Sequence, residues 1–121
     1  MEKVRELADY PILIITDGES GAGEFLVGKH NAIGTAGTTK HAYAFGKAVG
    51  VTARKMGYNV VCDPVVDMID GSMRSMGTDK EKVAELALAI ARGITQLVMH
   101  VSFQTSEASR TTGTSGITAC L

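Results

Sequence analysis

The sequence predicts an α/β fold built on a parallel sheet, and three observations carry that prediction. Two continuous apolar runs, Pro11-Ile12-Leu13-Ile14-Ile15-Thr16-Asp17 and Tyr58 to Asp67, each end in an aspartate. Unbroken rather than alternating apolar residues are the pattern of strands covered on both faces. Each run is followed by a stretch with helical periodicity, and a third short run, Leu97-Val98-Met99-His100-Val101, closes the series. The order strand, helix, strand, helix, strand implies parallel pairing through right-handed crossovers.

Residues 2–9 read as a short helical lead-in to the first strand. Gly18 to Thr38 is rich in glycine and reads as one long loop, a length that is uncommon without a function. The first long helix follows. Ala42, Phe45, Val49, Ala53 and Met56 fall on one stripe, Thr38 or Thr39 can cap its start, and Gly57 suits a left-handed stop. In the second strand, Pro64 predicts that hydrogen bonding ends or bulges there. The second long helix begins at Thr78-Asp79-Lys80-Glu81, which has capping-box spacing, and buries Val83, Leu86, Ala87, Ile90, Ala91 and Ile94. Ser102 to Leu121 holds nine serines and threonines and shows no helical or strand period. Its composition is that of a disordered tail. The expected organisation is therefore an ordered part over 1–101 and an irregular tail over 102–121.

Composition bounds the function. The 121 residues are 45% hydrophobic and 21% charged with a net charge of −1, values of a globular chain of about one domain. A charge this close to zero gives no electrostatic reason to expect nucleic acid or an anionic membrane as a partner. The charged start, Met1 to Glu6, has no apolar signal core behind it, and Pro11 to Ile15 is too short to span a bilayer. A cytoplasmic location is the default expectation. Cys62 and Cys120 form no disulfide framework, and Cys62, within an apolar run, is expected in the core. The methionines of the helices and third strand read as core filler.

The aspartates at the strand ends carry the most functional information. In parallel α/β sheets ligands bind beyond the carboxyl ends of the strands, so Asp17 and Asp67 should open on one face. Carboxylates there accept hydrogen bonds from sugar hydroxyls or take part in acid–base chemistry. Other motifs weigh less. Gly23 to His30 nearly spells a phosphate-binding loop, but His30 stands where Ser or Thr should hold magnesium. Asp63 and Asp67 on an extended strand lie about 13 Å apart, too far for one metal ion, so turn and strand-end roles are expected of them. His30, His41 and His100 lack zinc-ligand spacing and read as surface or core histidines. No metal or cofactor is expected.

Four segments, in order, resemble glycoside hydrolase family 3. Pro11 to Gly21 resembles its first barrel strand and the Asp-x-Glu-Gly-Gly turn. Val49 to Asn59 resembles its first helix, and Asp63-Pro64-Val65-Val66-Asp67-Met68 its Ala-Pro-Val-x-Asp-Ile strand. Gly71 to Asp79 is similar to its Gly-x-Arg-Ser-Phe-Gly-Glu-Asp segment. The resemblance covers about residues 8 to 101 and implies the first three strands and two crossover helices of a (β/α)8 barrel. It implies hydrolysis of β-linked sugars with retention, Asp17 and Arg74 as substrate-binding residues, and Asp67 and Glu19 as supporting or structural ones. A guanidinium fork and a carboxylate are suited to ring hydroxyls.

The chain also departs from that family. Ser20 replaces the first glycine of the turn, and Phe25 stands where the hexosaminidase branch has arginine. Val101-Ser102-Phe103-Gln104-Thr105-Ser106 replaces the third-strand segment Lys-His-(Phe or Tyr)-Pro-Gly. Read one nucleotide later, codons for that stretch can spell Lys-His-Pro, so an out-of-frame tail is one reading of the break. The family's carboxylate nucleophile lies in a Ser-Asp segment of a later strand, and no residue here matches it. A full barrel takes roughly 250 residues. The expectation is thus a barrel fragment that binds carbohydrate without turnover and pairs with itself or a completing chain through an exposed sheet edge. A non-catalytic sugar-binding or assembly module and a small flavodoxin-like nucleotide domain are the alternatives.

Overall fold

The computed structural model describes residues 2–18, 29–98, 100–104 and 119–120. Its helices are α1 (Glu2–Glu6), α2 (His30–Ala36), α3 (Thr39–Met56) and α4 (Lys80–Thr95). Its strands are β1 (Ile15–Asp17), β2 (Val60–Val65), β3 (His100–Gln104) and β4 (Ala119–Cys120). They form one sheet in the order β1-β2-β3-β4, with β1, β2 and β3 parallel and β4 antiparallel to β3. The α/β class and the parallel core of the sheet are as the sequence predicts.

The two long helices form where the stripes fall. Thr38 caps α3 by accepting the His41 N–H at 3.3 Å, and Gly57 ends it at φ 89°. At α4 the cap is Asp79, which accepts the Lys82 N–H at 2.9 Å. The capping box at Thr78 is therefore one residue out of phase, because the aspartate beside it already supplies the acceptor. α3 and α4 meet backbone to backbone: a Cβ on Gly46 would collide with the Ile90 carbonyl, and one on Gly93 with the Tyr43 carbonyl. Small residues at the crossing allow that approach. Around it Ala42, Val49 and Ala53 pack with Val83, Leu86, Ile90 and Ile94, and Val61 joins this core from the sheet. Burial of these side chains drives the assembly.

The strand boundaries differ from those read in the sequence. β1 begins only at Ile15, because the Asn59 side chain takes the backbone upstream of it. Its carbonyl oxygen accepts the Ile14 N–H at 2.6 Å, and its amide donates to the Ile12 carbonyl at 2.8 Å. β2 stops at Val65, so Asp67 lies beyond the strand rather than at its end. Its register with β3 shifts between Cys62 and Val65, around the cis Asp63–Pro64 bond, as Pro64 predicts. β3 starts at His100, because Leu97 and Val98 turn back to bond the Ile94 carbonyl at 3.0 and 3.2 Å. It runs through Gln104 and pairs with β4, so strand pairing extends into the stretch read as irregular.

Three further expectations are corrected. The segment read as a long loop contains α2, a seven-residue helix closed by Gly37 at φ 62°. Cys62 is half-buried rather than a core residue. Leu13 and Ile15, 64% and 56% exposed, leave one face of the first apolar run uncovered, where the run implied cover on both faces. Of the methionines, Met76 is buried, whereas Met68 and Met73, in the loop after β2, are exposed.

Candidate functional site

Because β1, β2 and β3 are parallel, the segments leaving them emerge at one end of the sheet. Asp17 is the last residue of β1 and pairs in register with Cys62. It is exposed, while Gly18 behind it is buried and donates its N–H to the Cys62 carbonyl at 3.0 Å. Glu19, Ser20, Gly21 and Phe25 lie outside the described residues.

The loop from β2 to α4 brings two of the predicted residues together. Arg74 Nε stands 3.3 Å from Asp67 Oδ2; the aspartate is 1% exposed and the arginine 43%. A guanidinium beside a buried carboxylate compensates a charge that would otherwise be expensive to desolvate. The neighbouring Ser75 hydroxyl organises the loop. It donates to the Asp67 carbonyl at 2.7 Å and accepts the N–H groups of Ile69 and Gly77 at 3.2 and 3.1 Å. Beside this loop a cleft of about 300 Å³ is lined by Asn31, Thr35, Asp70, Ser72 and Met76. Asp17 ends β1 and Arg74 lies in the loop that follows β2, so both stand at the carboxyl-terminal end of the parallel strands.

A second polar pair was not anticipated. Asp63 sits within β2 and His30 opens α2, both 0% exposed, with His30 Nε2 2.7 Å from Asp63 Oδ1. The Val65 N–H is 3.4 Å from the same nitrogen, and the imidazole packs edge-on against Phe45 with centroids 5.6 Å apart. Asp63 is thus neither a turn nor a strand-end residue, and His30 is a core histidine held by a carboxylate. A signal for Asp63 was present: an acid inside Val60-Val61-Cys62-Asp63-Pro64-Val65 must be buried and so must be partnered. Nothing marked His30 as that partner. The phosphate-loop near-match lies outside the described residues except for Lys29 and His30, whose ring faces inward. His41 is exposed and bonds Thr38 Oγ1 through Nδ1 at 2.7 Å.

A groove of about 650 Å³ lies at the opposite end of the sheet, among the residues that precede the strands. Its two arginines are turned to structure: Arg5 donates to the Gly57 carbonyl and Arg54 to the Leu97 carbonyl. Among the described residues no group of three potential metal ligands occurs, and no helix is long and apolar enough to cross a membrane.

Comparison with solved structures identifies the architecture. A beta-glucoside phosphorylase, BglX bound to 2FGlc, superposes with a TM-score of 0.78 at 17% identity over 87% of this chain. A glycosyl hydrolase of the GH3 family from Mycobacterium smegmatis gives 0.73 at 23% identity over 85% of the chain. Over the aligned residues this chain shares its fold with these glycoside hydrolase structures. NagZ from Neisseria gonorrhoeae, in complex with N-trifluoroacetyl-D-glucosamine, has the same fold, with a TM-score of 0.76 at 21% identity over 88% of this chain. This chain spans 21%, 36% and 37% of those three family 3 structures, respectively. No protein-family model and no curated protein matches it in sequence.

Proposed function

We propose that this chain supplies the first strands of a family 3 glycosidase barrel and holds a β-linked sugar through Asp17 and Arg74. The observation that carries the reading is the placement of Asp17, Asp67 and Arg74 around the carboxyl ends of β1 and β2, in a fold shared with glycosidases. In this reading Asp17 accepts hydrogen bonds from ring hydroxyls, and Arg74 donates to them. Asp67 engages Nε of Arg74 and sets the plane of the fork; Glu19 has a supporting role. Aryl-sugar and amino-sugar ligands are the natural probes, since the solved relatives include a beta-glucoside phosphorylase and an N-acylglucosamine complex.

Retaining hydrolysis takes a nucleophile and an acid/base about 5 Å apart. The family pattern assigns the nucleophile to no residue of this chain, so the 121 residues bind sugar without turning it over. Incubation of the purified chain with aryl β-glucoside and β-N-acetylglucosaminide tests this, and aglycone release above a buffer blank overturns it. Thermal stabilisation by glucose or N-acetylglucosamine, lost in Asp17→Ala, supports the binding half.

A specific observation favours an added assembly role. β1 is an outer strand of the sheet, and Ile15 within it and Leu13 just before it are exposed to solvent. An exposed apolar edge is a template for strand pairing, with a second copy or with a chain that continues the barrel.

A further inference from the structure

We propose that the buried His30–Asp63 pair is a positioning device for Asp17, fixing both ends of the segment that follows β1 on a single carboxylate. The inference rests on the reading of Asp17 as a sugar-holding residue and adds two residues that the reading does not use. At one end, a Cβ added to Gly18 would stand 2.5 Å from Asp63 Cβ and 3.2 Å from its Cγ. The Asp63 side chain therefore fills the space directly against the residue after Asp17. At the other end, His30 Nε2 reaches the same carboxylate at 2.7 Å. The imidazole is braced in turn by Phe45 of α3, ring to ring.

A line of contacts thus runs from α3 through Phe45, His30 and Asp63 to Gly18, and the Cys62 carbonyl accepts from the N–H of the peptide that joins Gly18 to Asp17. A buried polar pair of this kind is a poor source of net stability, because desolvation of its partners opposes the gain from pairing them. Its directional geometry gives it another use: it fixes where the groups on either side stand. A displacement of the order of 1 Å at a ligand-holding carboxylate is enough to weaken its interactions substantially.

The test uses the full ¹⁵N-labelled chain, titrated with glucose and with N-acetylglucosamine well below every variant's unfolding temperature. Asp63→Ala is expected to weaken sugar binding about tenfold or more and to move the Gly18 and Asp17 amide signals. Asp63→Asn, whose amide oxygen still accepts from His30, is expected to stay within about threefold of the parent. If Asp63→Ala does not fold, the comparison passes to His30→Gln, which keeps a donor, against His30→Leu, which does not. Equal losses in the two members of either comparison, or unchanged affinity and amide signals in the apolar variant, overturn the proposal. Should the parent bind neither sugar, the sugar reading fails by itself, and the amide signals alone decide. Displacement in Asp63→Ala that Asp63→Asn restores supports the positioning role; no displacement sinks it.

Discussion

Asp67 presents a fully desolvated carboxylate to Nε of Arg74, a side chain that is itself almost half in solvent. The two partners are therefore unequal. Arg74→Ala removes a cation from beside a buried carboxylate, whereas Asp67→Asn removes the buried charge itself and keeps an amide oxygen that can still accept from Arg74 Nε. We expect Arg74→Ala to lower unfolding stability by about 1–2 kcal/mol, a partly exposed bond to a charged group, and Asp67→Asn by less. Urea denaturation of the two variants checks the order, and a larger loss in Asp67→Asn would contradict it.

Ser75→Ala should cost more than its size suggests. One hydroxyl serves the Asp67 carbonyl and the Ile69 and Gly77 amides. Its removal leaves one buried carbonyl and two part-buried amides to find other partners, at about 1–3 kcal/mol. The midpoint of urea unfolding reads this directly, and a change below about 0.5 kcal/mol, the range of ordinary surface substitutions, would show that water replaces the hydroxyl.

Gly46→Ala reverses the usual sign of a helix substitution. Propensity alone would favour alanine by about 1 kcal/mol. Here the added methyl meets the Ile90 carbonyl, a backbone atom that moves only with α4. The expected result is a net loss of about 1–3 kcal/mol, as for overpacked cores. Thermal unfolding of Gly46→Ala beside Ala44→Gly, an exposed site on the same helix, separates sterics from propensity.

Leu13→Lys and Ile15→Lys address the open edge of the sheet. Charge on an edge strand blocks pairing. We expect the parent chain to self-associate as concentration rises and the double variant to remain monomeric by light scattering. Its unfolding stability should stay within about 0.5 kcal/mol, since both side chains are exposed. A parent that stays monomeric throughout removes self-pairing and leaves only a different chain as occupant.

The long helices were legible because their signals are local. The stripe from Val83 to Ile94 and the caps at Thr38 and Gly57 lie within a few turns of the residues they govern. The strand ends were less so. β1 begins where the Asn59 side chain stops standing in for a neighbouring strand, a contact formed across the fold. α2 has no apolar stripe, and its docking depends on Gly34 lying against the Met76 backbone. Asp17 stood out through its strand-end setting and the resemblance, Arg74 through the resemblance alone. Asp63 was visible as a misplaced charge, but its partner His30 was not, because only the packing of α2 on β2 brings them together.

The knot of bonds at Ser75 has a consequence for whatever Arg74 meets. A loop tied at Asp67, Ile69 and Gly77 by one oxygen has surrendered its conformational freedom during folding. The entropy of ordering that loop is then no part of the cost of binding. In the sugar-holding role proposed for it, Arg74 stands on a loop that is already ordered, and a weakly interacting small molecule has most to gain from that.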